Sequence, residues 1–499
     1  MQQMEKPREA SLEEKLKQIE KIEEGEERAT RKGITGIIAA FALLAVFHFG
    51  PAIPGLKPQA QSILGVFIWF ITVMVTDALP GGIVGLVTPL LMVTVGGLKI
   101  PAAFKAFTSD VFFLGAGAFV IAGIMMGTPL GKRIAITIVT KMKSNRVTRI
   151  LMGLGIADIA VGGVMPTVSE SALFLPVAKS IGNLMRGREN LPEAKRINTA
   201  LLLQTPGLTP LFTGTLILTS HFPNIILAGA LKDAVGIEIT WAQWFWLNLP
   251  LWGLLPIMFV YVYWYFDLWK LDIPGAEVEI PKMKAELGKI TWPEIYALIC
   301  VGIGLFLWVT EKTLHNIDSG MTALIVAGLL FMPWGGLDFK KVNKNVMWDT
   351  LMLLGGSISL GLVLYDVGVV KWLSDIIVGP LKDWKLSPIP MLFVLVFAMH
   401  IARAGVVSAV AMGAAFVPLA IGMAKTLGVN VLPFTLVTIN CLSYAFFLPI
   451  SITAFLIAWA ASGASGWTAV RFGAPLTIIA NVYVILVQTA WLDLIGYKL

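Results

Sequence analysis

Charge, cysteine and catalytic signatures are all scarce in this chain. Its two cysteines, Cys300 and Cys441, both sit in apolar runs, which argues against a disulfide framework or a cysteine-based metal site. Charged residues make up 14% of the 499, against about a quarter in ordinary soluble domains. Even that small share is uneven. Residues 1–33 hold nine acids and eight bases, so the remaining 466 residues carry only 52 charges. Such a body lacks the polar groups for a water-facing shell, which excludes an ordinary soluble protein. There is no Gly-x-Ser-x-Gly elbow, His-Glu-x-x-His, Walker A or Cys-x-x-Cys motif, so an enzyme is not expected. Without an ATP site, any work must draw on an ion or substrate gradient. No repeated aromatic and basic pattern suggests nucleic acid, and no short apolar stretch near the N-terminus suggests a cleaved signal peptide.

What the chain has instead is apolar length. Hydrophobic residues make up 57% and the mean hydropathy is +0.79. Runs of roughly membrane length recur from Ile34 onward, so the fold class expected is an all-α polytopic membrane protein. Four regions follow: a charged segment 1–33, a first half 34–265, a hydrophilic interval 266–291 and a second half 292–499. The mixed charges of residues 1–33 read as a solvated helix or loose tail on the cytoplasmic side. Tryptophans such as Trp241, Trp244, Trp246, Trp252 and Trp264 suit membrane-interface belts.

The two halves resemble each other. An apolar span ends in Asp77 in the first and in Glu311 in the second. Asp110-Val-Phe-Phe-Leu-Gly115 parallels Asp349-Thr-Leu-Met-Leu-Leu-Gly355, and the segment before Pro176 parallels that before Pro418. The order is kept and the separations are all about 240 residues, as expected of an inverted-repeat transporter. Basic clusters at Lys132, Arg133, Lys141, Lys143, Arg146 and Arg149, and at Arg186, Arg188, Lys195 and Arg196, flank the 149–185 segment. The positive-inside rule puts both its ends in the cytoplasm. A re-entrant hairpin with its tip at Gly162-Gly-Val-Met-Pro-Thr-Val-Ser-Glu-Ser171 satisfies that, and its counterpart is expected near 388–425.

These landmarks resemble the divalent anion:sodium symporter family of dicarboxylate and citrate carriers. Thr76-Asp77-Ala-Leu-Pro80 is similar to its Trp-x-x-Glu-x-Ile-Pro segment. Gly214-Thr215 and Pro223-Asn224 resemble its Gly-Thr…Pro-Pro-Asn stretch, and Phe446-Phe-Leu-Pro449 with Ser462-Gly463 resemble the second-half landmarks. The resemblance implies two inverted repeats, about eleven spans, two re-entrant hairpins, a homodimer and an elevator-like motion. It also implies a plasma or inner membrane location. One departure stands out. The family's Ser-Asn-Thr, ten residues before a proline at each tip, falls on Pro166-Thr167-Val168 and Ser408-Ala409-Val410. Both motifs are lost, which disfavours sodium and leaves protons or exchange.

The expected substrate contacts are Thr167, Ser169, Ser171, Gly214, Thr215, His221, Pro223, Asn224, Arg403, Ser408 and Thr453. Asp158, Glu170 and Arg403 are ionisable groups inside apolar runs and are the candidates for ion coupling. Asp158 is expected to pair with Arg403 or Lys179, and His400 to pack beside Arg403. Arg403 suits a carboxylate, held as a bidentate fork. No cofactor is expected, with sodium disfavoured and protons admitted as coupling ions; the partners are a small organic anion, lipid and a second copy of the chain. Other readings remain open: a sodium-coupled dicarboxylate symporter, a cation or oxyanion antiporter, and a receptor that kept the scaffold.

Overall fold

The computed structural model describes residues 12–185, 187–188, 191–448 and 450–499, with side chains from Arg31 on. The first eleven residues of the charged segment, Arg186 of the second basic cluster and Pro449 of the Phe446 landmark lie outside the described residues. The described chain is helical, with isolated β-bridges only. Seven helices are long and apolar enough to cross a bilayer, or eight if the pair Trp241–Leu247 and Leu249–Tyr265, bent by 56°, counts as one span. Five shorter apolar helices, Gly81–Thr94, Ser319–Leu330, Pro388–Arg403, Val431–Ser443 and Thr453–Ser462, pack among them. Large apolar side chains such as Phe49, Phe397 and Ile401 stand exposed, as a lipid-facing surface requires.

Helix order repeats. Pro58–Thr76, Gly81–Thr94, Asp110–Gly127, Leu130–Lys141, Val147–Gly162 and Thr167–Gly182 recur in sequence as Trp292–Thr310, Ser319–Leu330, Trp348–Asp366, Val369–Lys382, Pro388–Arg403 and Ala409–Leu427. Their packing is reciprocal as well. Gly81–Thr94 lies on Trp348–Asp366, and Ser319–Leu330 lies on Asp110–Gly127. Both contacts use the aspartates noted as landmarks. The Asp349 carboxylate accepts the Gly82 N–H at 2.7 Å, while the Gly320 Cα sits against the Asp110 backbone, where a side chain has no room. Small residues at such crossings let helix backbones approach closely when lipid offers no hydrophobic drive.

The structure adds detail to three of these regions. From Leu12 the charged segment is helical and runs without a break into the first span, as the single helix Leu12–Phe49. The basic cluster after Gly127 is partly helical, at Leu130–Lys141, since its Ile134, Ala135, Ile138 and Val139 form an apolar stripe. The hydrophilic interval 266–291 carries its own helix, Ala276–Glu286. Arg133 fastens its end: Nε donates to Glu294 Oε1 at 2.8 Å, and the guanidinium also donates to the carbonyls of Leu287 and Gly288.

Candidate functional site

Four helix breaks meet inside the bundle. Two are hairpin tips, residues 163–166 between Val147–Gly162 and Thr167–Gly182, and residues 404–408 between Pro388–Arg403 and Ala409–Leu427. The others are unwound stretches, residues 215–221 before Phe222–Val235 and residues 444–448 and 450–452 before Thr453–Ser462. Gly163 and Pro166 explain the first tip, since proline and its preceding residue resist helical continuation. Gly405 loosens the second.

Unwound backbone at this depth needs hydrogen-bond partners from the protein itself. Ser220 donates to the Gly162 carbonyl, joining the first tip to the first unwound stretch. The Asn224 amide donates to the carbonyls of Gly214 and Ile217 at 2.8 and 2.9 Å, and Trp244 Nε1 donates to the Thr215 carbonyl at 3.2 Å. Trp244 is fully buried and Trp241 nearly so, which corrects their placement in an interface belt; Trp246 and Trp264 are exposed. In the second half, Thr477 accepts the Phe446 N–H at 2.8 Å and Asn481 donates to the Tyr444 carbonyl at 3.2 Å.

The halves are tied directly. The hydroxyls of Thr215 and Tyr444 share a hydrogen bond, and His221 Nε2 meets Ser443 Oγ at 3.2 Å. Arg403 closes the ring at the second tip, donating to the Leu442 carbonyl and, at 3.3 Å, to that of Ser451. Thr453 Oγ1 lies 3.5 Å from the Val407 carbonyl.

The expected residues therefore divide. Thr167, Gly214, Thr215, His221, Pro223, Asn224, Arg403, Ser408 and Thr453 all lie at or beside the four breaks. Thr167 packs on Gly214, and Pro223 opens the helix after the first unwound stretch. Ser169 and Ser171 are turned to other tasks: the Ser169 hydroxyl rests 3.2 Å from the Met347 sulfur and Ser171 donates to the Thr167 carbonyl of its own helix. Asp158 does not pair with a base. Lys179 is exposed, and Asp158 faces Glu170 on the opposite hairpin arm. His400 bonds Asn481 through Nε2 at 3.0 Å, one helical turn from Arg403.

Four partners went unrecognised in the sequence: Ser220, Ser443, Tyr444 and Ser451. Ser443 and Tyr444 lie three and two residues before the Phe446 landmark, and Ser220 precedes His221, so the landmarks pointed within a few residues of them. Thr477 and Asn481 also lie outside the expected site. Their signal was a polar pair at helical spacing in an apolar run.

Arg403 is the outlying charge. It is 2% exposed, and among the described residues no carboxylate pairs with it, only backbone carbonyls. Its Nε has no partner, and His221 lies within its field with Nδ1 also unpaired. A buried cation held only by carbonyls leaves a positive field at the junction that no described carboxylate neutralises.

Helical spans, broken helices at mid-chain positions and intramembrane charge define a multi-pass membrane protein of transporter type. Residues 31–497 match the family described as the sodium:sulfate symporter transmembrane region, and the chain belongs to that family. A membrane protein of Cupriavidus necator is 26% identical over 489 residues, covering 93% of each chain. The sodium-dependent dicarboxylate transporter SdcS of Staphylococcus saprophyticus is 27% identical over 355 residues, 67% of each chain. SdcS of Staphylococcus aureus (strain USA300) is 25% identical over 356 residues. Among solved structures, the YdaH transporter of Alcanivorax borkumensis aligns with a TM-score of 0.49 at 12% identity, covering 87% of this chain and 99% of that one.

Proposed function

We propose that this chain is a secondary active transporter of small organic anions, di- or tricarboxylates, working by alternating access at the junction of the four helix breaks. The observation that carries the reading is Arg403: a buried guanidinium at the second hairpin tip with no carboxylate of its own. A substrate carboxylate supplies the missing charge, with His221 and the Thr215 hydroxyl on the first-half side and the Tyr444 hydroxyl on the second. The relatives named as dicarboxylate transporters support the same substrate class.

Coupling runs by exchange or by protons in this reading. At the second tip, Ser408 uses its hydroxyl as a helix cap, accepting the Ala411 N–H at 3.3 Å, and Ala409 and Val410 have no side-chain oxygen to offer a cation. Sodium symport is the second reading, favoured by the SdcS relatives, which are sodium-dependent dicarboxylate transporters. The elevator motion, the homodimer, and an inner or plasma membrane location with a cytoplasmic N-terminus complete the proposal.

The test is uptake of labelled succinate and citrate into proteoliposomes with sodium, proton and counter-substrate gradients varied separately. Uptake driven by internal succinate or by a proton gradient is expected. Absence of uptake under every gradient overturns the carrier reading, and uptake that collapses without sodium selects the second reading.

A further inference from the structure

Two buried acids sit where the mechanism has given them no task. Asp158, on the arm Val147–Gly162, and Glu170, on Thr167–Gly182, are both fully buried just beneath the first tip and face one another. The Glu170 carboxyl fills the space that any side chain at residue 162 would need, so Gly162 makes the approach possible. Gly162 follows Asp158 by four residues and so shares its helix face. None of the four carboxyl oxygens accepts a hydrogen bond from an N–H or hydroxyl.

Nor is there, among the described residues, a base to neutralise them. Among helices packed on the two arms, Arg133 is held by Glu294, Arg196 by Asp267, and Asp110 by Lys232. Lys132, Lys141, Arg149, Lys179, Glu193 and Lys195 are exposed. Tyr263 donates to the Thr148 carbonyl, and His221 is engaged with Ser443. Only the two acids act on each other.

Two carboxylates in contact, both ionised and both out of water, repel strongly, and a buried acid without donors is costly. One proton between them resolves both problems: one carboxyl donates, the other accepts, and a single negative charge remains. That charge lies in the first turn of Thr167–Gly182, at the positive end of the helix dipole. We infer that Asp158 and Glu170 form a shared-proton site in the first hairpin, which takes up and releases a proton as the hairpin moves between the two sides of the membrane. Arg403 in the second hairpin then handles the anion while the first handles the coupling ion. This coupling role rests on the carrier reading; the shared proton does not.

The test has two arms. Infrared difference spectra of the purified protein, taken across a pH series, are expected to show a protonated-carboxyl C=O band. Asp158→Asn and Glu170→Gln are each expected to abolish it. In proteoliposomes loaded with a pH-sensitive dye, succinate uptake by the wild type is expected to carry protons. Glu170→Gln is expected to reduce the protons moved per succinate at least tenfold. A band that persists in both variants, or is missing from the wild type, overturns the dyad. The band with uptake that moves no protons overturns the coupling role. The band without any uptake of succinate or citrate overturns the carrier reading alone. The two single variants are independent, so one folded variant is enough to decide the infrared arm.

Discussion

The hydroxyl of Thr215 and the phenol of Tyr444 form one hydrogen bond, although 229 residues separate them in the chain. Each sits at the first residue of its own half's unwound stretch. The bond therefore ties corresponding positions of the two repeats. With Phe212 and Phe446 stacked at 5.7 Å beside it, it fixes how the broken helices face one another.

The two partners are not equivalent. Thr215 also donates to the Phe212 carbonyl at 3.2 Å, whereas Tyr444 has no other hydroxyl partner among the described residues. Thr215→Val thus strands a buried phenol, at a cost of about 1–3 kcal/mol, while Tyr444→Phe leaves Thr215 still bonded and costs about 1 kcal/mol or less. Thermal unfolding of the detergent-purified variants should rank them in that order. The reverse order would remove the bond as a link between the repeats.

Arg403→Ala should remove the positive field at the junction and raise the half-saturation concentration for succinate by tenfold or more in proteoliposome uptake. Arg403→Lys keeps a charge but not a planar fork that reaches two carbonyls, so partial rescue is expected. Unchanged half-saturation in the Ala variant would place the anion elsewhere.

Asn224 spends both amide protons on the carbonyls of Gly214 and Ile217. Asn224→Asp replaces donors with acceptors facing those carbonyls. A loss of about 2–4 kcal/mol is expected from the orphaned buried groups. A fluorescence thermal shift checks this, and an unchanged midpoint would mean that the unwound stretch is held by other contacts.

Gly162→Ala pushes a methyl group into the Glu170 carboxyl and should destabilise the protein by about 1–3 kcal/mol. In a Glu170→Ala background the same change should cost much less. A double-mutant cycle on unfolding midpoints reads the difference, and strict additivity would show that the two residues do not touch.

A pH effect is expected outside the spans. Glu238 accepts from Lys232 at 3.0 Å and lies 3.3 Å from Lys312. The Lys232 hydrogen bond, opposed by partial burial and aided by Lys312, holds its carboxyl below the ordinary 4.5. A depressed folded value means that the stabilisation is fully present above pH 4.5 and is lost as pH falls through that lower value. Glu238→Gln should flatten the acid limb of a melting-temperature profile below about pH 4.5, by a small amount because the site is exposed.

Much of the architecture was legible one residue at a time. Apolar length locates spans because lipid demands it locally, whatever the neighbours are. Gly163 and Pro166 break helices through their own backbone preferences, so the first tip was legible, and the repeat then pointed to a counterpart near 388–425. Asp110 and Asp349 marked the repeat because each keeps its position at the start of an equivalent helix.

Pairing was not legible. Sequence alone places Asp158 and Glu170 in one hairpin, yet it points to a base, Arg403 or Lys179, as the partner of Asp158. Which faces the two arms turn toward each other depends on the angle between helices and on the missing side chain at Gly162. Thr215 and Tyr444, or Arg403 and the Leu442 carbonyl, meet only because separate breaks converge. Local preferences determined where the helices stop. Long-range packing, which no single segment encodes, decided that the stops meet and that two acids share a pocket with no base among the described residues.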